Sequence, residues 1–74
     1  MAIAENVAYL RNAQGLSQRD LAEAVGISGA MVAQIERGTK TLSLPLAERF
    51  AKELHCEITD FLRPAPLRPA GMKN

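Results

Sequence analysis

"GLSQRDLAEAVGIS", residues 15–28, decides how this chain folds. Ser17 is followed three residues on by Asp20. In that pairing a hydroxyl and a carboxylate satisfy backbone amides that the start of a helix leaves free, so a helix begins here. Leu21, Ala22 and Val25 form its apolar face, and Gly26 arrives one turn after Ala22. A small residue at Ala22 lets another helix come close, and glycine at position 26 can take the positive φ of a sharp turn. Ser28 then caps a further helix, with Val32 and Ile35 facing inward and Gly38 ending it.

Working outward, Ile3, Val7 and Leu10 lie at helical spacing within Ile3–Gln14, with Glu5 near the start where a negative charge suits the helix dipole. Gly15 reads as a stop. Thr39 to Leu42 reads as a loop, and Ser43 is the next cap. Pro45 is tolerated in a first turn, and Leu46, Phe50 and Leu54 with Ala47 and Ala51 give another amphipathic helix. A last short helix would carry Ile58, Phe61 and Leu62. From Arg63 onward, "RPAPLRPAGMKN" holds Pro64, Pro66 and Pro69, too much proline for a helix and too little apolar content for a core. The expected organisation is an all-α domain over residues 1–62 and a proline-rich, disordered tail over 63–74.

Composition narrows the function classes. Seventy-four residues hold one small domain, which buries only about 60% of its unfolded surface. A multi-domain enzyme does not fit that length. Hydrophobic residues at 47% and charged residues at 23% make a globular balance, and with Tyr9, Phe50 and Phe61 as the aromatics the core must be mostly aliphatic. The lone Cys56 allows neither an internal disulfide nor a zinc site built on several thiolates, which suits a reducing, cytoplasmic setting. No apolar run approaches the roughly 18–20 residues of a membrane span, and "MAIAENVAYL" lacks the basic flank of a secretory signal. No nucleophile, base and orienting group recur together, and there is neither a phosphate-binding glycine loop nor a metal-ligand set. The expectation is therefore no enzyme, no catalytic residue, no metal, no cofactor and no small-molecule ligand.

Net charge is +1, but Arg63, Arg68 and Lys73 all follow the last expected helix. Residues 1–62 keep six bases against eight acids, formally −2. That argues against a generic nucleic-acid sponge and requires any DNA contact to use a local basic face.

The two short helices between Gln18 and Ile35, joined across "VGIS", have helix-turn-helix spacing. Leu10–Leu62 resembles the phage repressor and Cro group of helix-turn-helix regulators, the XRE group, through "GLSQRDLAEAVGIS" followed by "IERG". The resemblance implies a compact five-helix, lambda-repressor-like domain that binds operator DNA as a dimer. It places Gln18 where the family holds a DNA phosphate at the start of the second helix. Local chemistry agrees, because a helix N-terminus offers free N–H groups and Arg19 adds a charge. Arg37, Thr39, Lys40, Thr41 and Ser43 would form a second phosphate clamp.

Base reading in the family falls on the exposed face of the third helix, here Ser28, Gly29, Ala30, Met31, Ala33 and Gln34. Gln34 alone among the helical positions can make a bidentate amide contact, which suits adenine. Ala30, Ala33 and Met31 can meet thymine methyl groups, so a partly A·T-reading site with weak per-base discrimination is expected. A second reading stands beside this one, since "GAMVA" is also a good surface for another protein, as in an antitoxin or accessory regulator.

The resemblance pairs Arg11 with Glu36 as a structural tie from the first helix to the end of the third. His55 stands where the family's "LGVS" has glycine, Cys56 takes the place of a buried valine, and Glu57 replaces a serine-like cap. One domain of this size buries too little for strong specific binding, so a homodimer on a pseudo-palindrome is expected, with half-sites about 34–36 Å apart. Its contact would lie around His55, Glu57, Ile58 and Phe61, read as exposed. Repressor and activator, and phage regulator, restriction controller and antitoxin, all remain open at this point.

Overall fold

Four α-helices follow one another in the computed structural model, which describes residues 2–63: α1 Ala2–Ala13, α2 Gln18–Val25, α3 Gly29–Arg37 and α4 Leu44–Glu53. The starts of α2, α3 and α4 are set by three serines. Ser17 Oγ accepts the Asp20 N–H at 2.9 Å while Asp20 Oδ2 accepts the Ser17 N–H at 3.1 Å. Ser28 Oγ accepts from Met31 N–H at 3.1 Å and Ser43 Oγ from Leu46 N–H at 3.4 Å. Pro45 sits in the first turn of α4, where no intrahelical donor is needed. Gly26 (φ 83°) and Gly38 (φ 81°) end α2 and α3 in the left-handed region that a side chain would strain.

The expected fifth helix is a 3₁₀ helix, Ile58–Leu62. Glu57 supplies no hydroxyl to cap it, although Asp60 Oδ2 accepts the Glu57 N–H at 2.9 Å. Arg63 is already extended at ψ 156°, the conformation that the following Pro64 imposes. Five residues between those limits are too few to pass the costly nucleation of an α-helix. The tail expected over 63–74 lies, beyond Arg63, outside the described residues. Among those described there is no strand, and no helix is long and apolar enough to cross a membrane.

The core gathers Val7 from α1, Leu21, Ala22 and Val25 from α2, Val32 and Ile35 from α3, Leu46, Ala47, Phe50 and Ala51 from α4, then Leu54 and Phe61. α2 packs on α3 and α4, and α1 packs on α3 and on the 3₁₀ helix. Phe61 is 1% exposed. It therefore belongs to this core and corrects its placement among the exposed dimer residues, because the 3₁₀ turn swings its ring inward against α1 and α4.

One polar residue is buried among them. Asn6 is fully enclosed, and its Nδ2 donates to the carbonyls of Asp60 (3.3 Å), Phe61 (3.1 Å) and Arg63 (2.7 Å). His55 follows α4 at φ 56°, left-handed for a residue with a side chain. Cys56 beside it is half-buried, and burial, with Asp60 and Glu57 nearby, pushes its thiol up to about 11. That keeps it protonated and inert near neutrality.

Candidate nucleic-acid interface

The site is organised by a polar knot under α3. Arg11 Nε donates to Glu36 Oε2 at 2.6 Å and Nη2 to Oε1 at 3.1 Å, with the two side chains only 11% and 7% exposed. Arg11 Nη1 also donates to the Leu16 carbonyl at 2.6 Å and to Asn12 Oδ1 at 3.2 Å. Gln18 Nε2 donates to Glu36 Oε1 at 3.0 Å. The end of α1, the start of α2 and the end of α3 are thus fixed to one carboxylate. This sets Gln18 against the residue that immediately precedes Arg37 and its loop.

Gln18 is half-buried and already spends one amide hydrogen on Glu36, leaving its carbonyl oxygen and a second N–H for other partners. The first backbone N–H groups of α2 add unpaired donors beside it. Arg19 is exposed, with Nε 3.6 Å from Glu23 Oε2, a surface pair too weak to hold it. Arg37, Thr39, Lys40, Thr41 and Ser43 are all exposed. Thr39 Oγ1 donates to the Gln34 carbonyl at 3.1 Å, so this hydroxyl stabilises the end of α3. Arg37 and Lys40 form no ion pair among the described residues.

On α3 the six expected base-reading positions divide. Ala30 and Gln34 are exposed, and the Gln34 amide makes no hydrogen bond within the described residues. Gly29 and Ala33 are half-buried. Met31 packs partly against the core, which removes some of its length from the outer face. Ser28 is exposed, and its oxygen spends one lone pair on the cap, which leaves the hydroxyl hydrogen free to donate outward. Nothing lies within 4 Å of a Cβ built on Gly29, and its φ is not positive. The fold itself has no need of glycine there.

Of the residues expected at a dimer contact, His55 and Glu57 are exposed and Ile58 is half-buried. Two further exposed apolar residues were not among those expected. Among the described residues, Leu44 at 64% and Leu62 at 63% are the large apolar side chains most exposed to solvent. They border an apolar trough of about 200 Å³, completed by Ile3, Leu42, Ala47, Ile58 and the edge of Phe61. In the sequence, Leu44 stands outside the Leu46–Phe50–Leu54 stripe, and that was the available signal.

A three-serine helical scaffold with a tight turn at Gly26 matches a described family across most of its length: the helix-turn-helix model HTH_3 covers residues 7–61. The chain belongs to the HTH_3 family. It is a helix-turn-helix DNA-binding regulator. The HTH_3 fold here is similar to the restriction-modification controller protein C.AhdI from Aeromonas hydrophila, with TM-score 0.76 and 32% identity over 80% of this chain and 86% of that one. The clp gene regulator ClgR from Corynebacterium glutamicum gives TM-score 0.79 and 30% identity over 82% and 65%. An HTH_3 family transcriptional regulator from Vibrio cholerae gives 0.75 and 33% over 82% and 34%, so this chain spans about a third of that one. No curated protein matches the chain by sequence.

Proposed function

We propose that this HTH_3 chain is a sequence-specific transcriptional repressor that binds a pseudo-palindromic operator as a homodimer, with α3 in the major groove. The observation that carries the reading is the outer face of α3: an unpartnered Gln34 amide beside the small residues Gly29, Ala30 and Ala33, followed directly by unpaired Arg37 and Lys40. Small residues let the helix lie close to the groove floor, where Gln34 reads adenine and Ala30, Ala33 and the exposed part of Met31 meet thymine methyls. Ser28 donates at the helix start. Gln18, Arg19, Arg37, Thr39, Lys40, Thr41 and Ser43 hold phosphates on either side, supplying the local cations that a domain of formal −2 needs.

The resemblance to phage repressors supports repression, and the likeness to C.AhdI and ClgR supports a regulator's role. Dimerisation is supported by the Leu44–Leu62 trough, an apolar surface that association would cover. His55, Glu57 and Ile58 lie at its margin in this reading, and the setting is cytoplasmic.

Selection of bound sites from a random duplex pool, washed at low and then higher salt, tests the reading. A two-fold motif with half-site centres about 34–36 Å apart is expected. Gln34→Ala should cost about 1–3 kcal/mol on the best site and relax one position. An unchanged preference in that variant rejects the Gln34 assignment. Binding without any motif favours the second reading, in which the small-residue face of α3 meets another protein.

A further inference from the structure

We propose that Asn6 is a positioning residue for dimerisation: its amide locks the 3₁₀ helix onto α1 and so sets the shape of the surface on which a second copy docks. The inference rests on the homodimer reading above. Asn6 is fully buried in the middle of α1, yet its bonds reach 54 to 57 residues along the chain. Its two amide hydrogens serve three carbonyls, those of Asp60, Phe61 and Arg63, at the last turn of the 3₁₀ helix and just beyond it. Those carbonyls lie where a helix end leaves oxygens without intrahelical donors. The orientation of the amide is fixed by the same contacts, because an oxygen in the place of Nδ2 would face three acceptors.

The three bonds carry a cost of their own. Asn6 Oδ1 is buried without a partner, and an orphaned buried acceptor normally offsets much of what the companion bonds contribute. An apolar residue in this place would remove that orphan, at the cost of the donor to the Asp60, Phe61 and Arg63 carbonyls. It would leave the 3₁₀ helix held by Phe61 packing, which fixes burial but not rotation about the helix axis.

Rotation matters here because of what the element carries. Ile58 and Leu62 line the trough together with Ile3, Leu42, Leu44 and Ala47. Leu62 adjoins Phe61 and Arg63, two of the three residues that Asn6 holds. A small turn of the 3₁₀ helix moves Leu62 across the trough while Phe61 stays in the core. In a two-fold dimer each displacement occurs twice, and it alters the separation of the two reading helices. Asn6 thereby links an internal hydrogen-bond set to half-site spacing without touching DNA or partner.

The test compares wild type with Asn6→Leu, which keeps the branching but donates nothing, Asn6→Ala, and Val7→Ala as a buried neighbour on α1 outside the clamp. Melting temperature, the dimer constant from sedimentation equilibrium, and binding to selected operators whose centre is lengthened or shortened by single base pairs are measured for each. Asn6→Leu is expected to stay folded, to weaken dimerisation about tenfold or more, and to bind the altered spacings almost as well as the original. Val7→Ala is expected to melt lower while keeping the dimer constant and spacing preference. A dimer constant within about twofold of wild type in both Asn6 variants overturns the proposal, as does loss of folding in both, which makes Asn6 a stability element only. Wild type that is monomeric at every concentration, alone and on DNA, rejects the homodimer reading itself, and the clamp's positioning role falls with it.

Discussion

Removing Arg11 should do more damage than removing Arg11 and Glu36 together. In Arg11→Met the Glu36 carboxylate, 7% exposed, keeps only the Gln18 amide as a donor. Breaking such a buried pair from one side costs about 3–5 kcal/mol. A folded region of this size has a total stability of roughly 3–9 kcal/mol, so the single variant sits near its unfolding threshold. At about 4–8 °C per kcal/mol, even the lower cost lowers the melting temperature by about 12–24 °C. Adding Glu36→Leu removes the stranded charge. What then remains is the Leu16 carbonyl and the Gln18 amide without their partners, each worth about 1 kcal/mol. The double variant should therefore recover about 1–3 kcal/mol of the loss. Urea and thermal denaturation of wild type, both single variants and the double variant close a cycle whose coupling should reach about 2–3 kcal/mol. If the two single effects add to the double within about 0.5 kcal/mol, the pair is not coupled and the knot does not organise the site.

The other expectations concern single groups. The Ser17 N–H and hydroxyl hold the Asp20 carboxyl below its ordinary 3.8; its contribution is thus complete above that value and lost as pH falls below it, so the acid limb of urea midpoints should flatten in Asp20→Asn. For Cys56 the sign is reversed: the folded chain keeps a proton that the unfolded chain releases from about 9.0, so stability should fall from there toward about 11, and a disulfide reagent at pH 8 should label the folded thiol far more slowly than the denatured one. His55→Gly relieves the left-handed strain at φ 56°; net of glycine's extra chain entropy it should stabilise by about 0.5–1 kcal/mol, and an unchanged or lower melting temperature refutes that. Gly29→Ala meets nothing within the fold and should raise stability by about 0.5–1 kcal/mol while weakening operator binding, because the added methyl occupies the approach to the groove; stronger binding in this variant would count against close approach of α3.

What the sequence disclosed well was local chemistry. Ser17 with Asp20, Ser28, Ser43, Gly26 and Gly38 each act within a few residues of themselves, so their identity and spacing carry the whole instruction. The inward stripes of α2, α3 and α4 follow from helical period in the same way. The recognisable "GLSQRDLAEAVGIS" and "IERG" located the two helices that carry Gln18 and Gln34, and also the Arg11–Glu36 pairing. Less legible were the residues whose meaning depends on a distant partner. Asn6 looks like an interruption in an apolar helix until its acceptors, more than fifty positions away, are known. Period marks Phe61 as apolar but does not say whether it is covered by its own chain or by another. Leu44, at the edge of a helix start, lies outside any periodic stripe.

These two kinds of residue serve different parts of the proposed function. Reading a half-site needs α2 and α3 at a fixed angle, and that angle is set by caps, the Gly26 turn and the Arg11–Glu36–Gln18 knot, all within residues 11–38. Spacing two half-sites needs the surface between copies to be equally well defined. In the proposed dimer that surface combines the N-terminal turn of α1, the loop before α4 and the 3₁₀ helix, segments brought together from both ends of the described chain. Gln34→Ala should therefore change which bases are preferred while leaving half-site spacing intact, whereas changes at Leu62 or Asn6 should alter spacing and affinity while leaving the half-site motif unchanged. Site selection with each variant separates the two effects directly. A Leu62→Glu variant that changes the preferred bases within a half-site, and not the distance between half-sites, would show that reading and assembly are not built on separate elements.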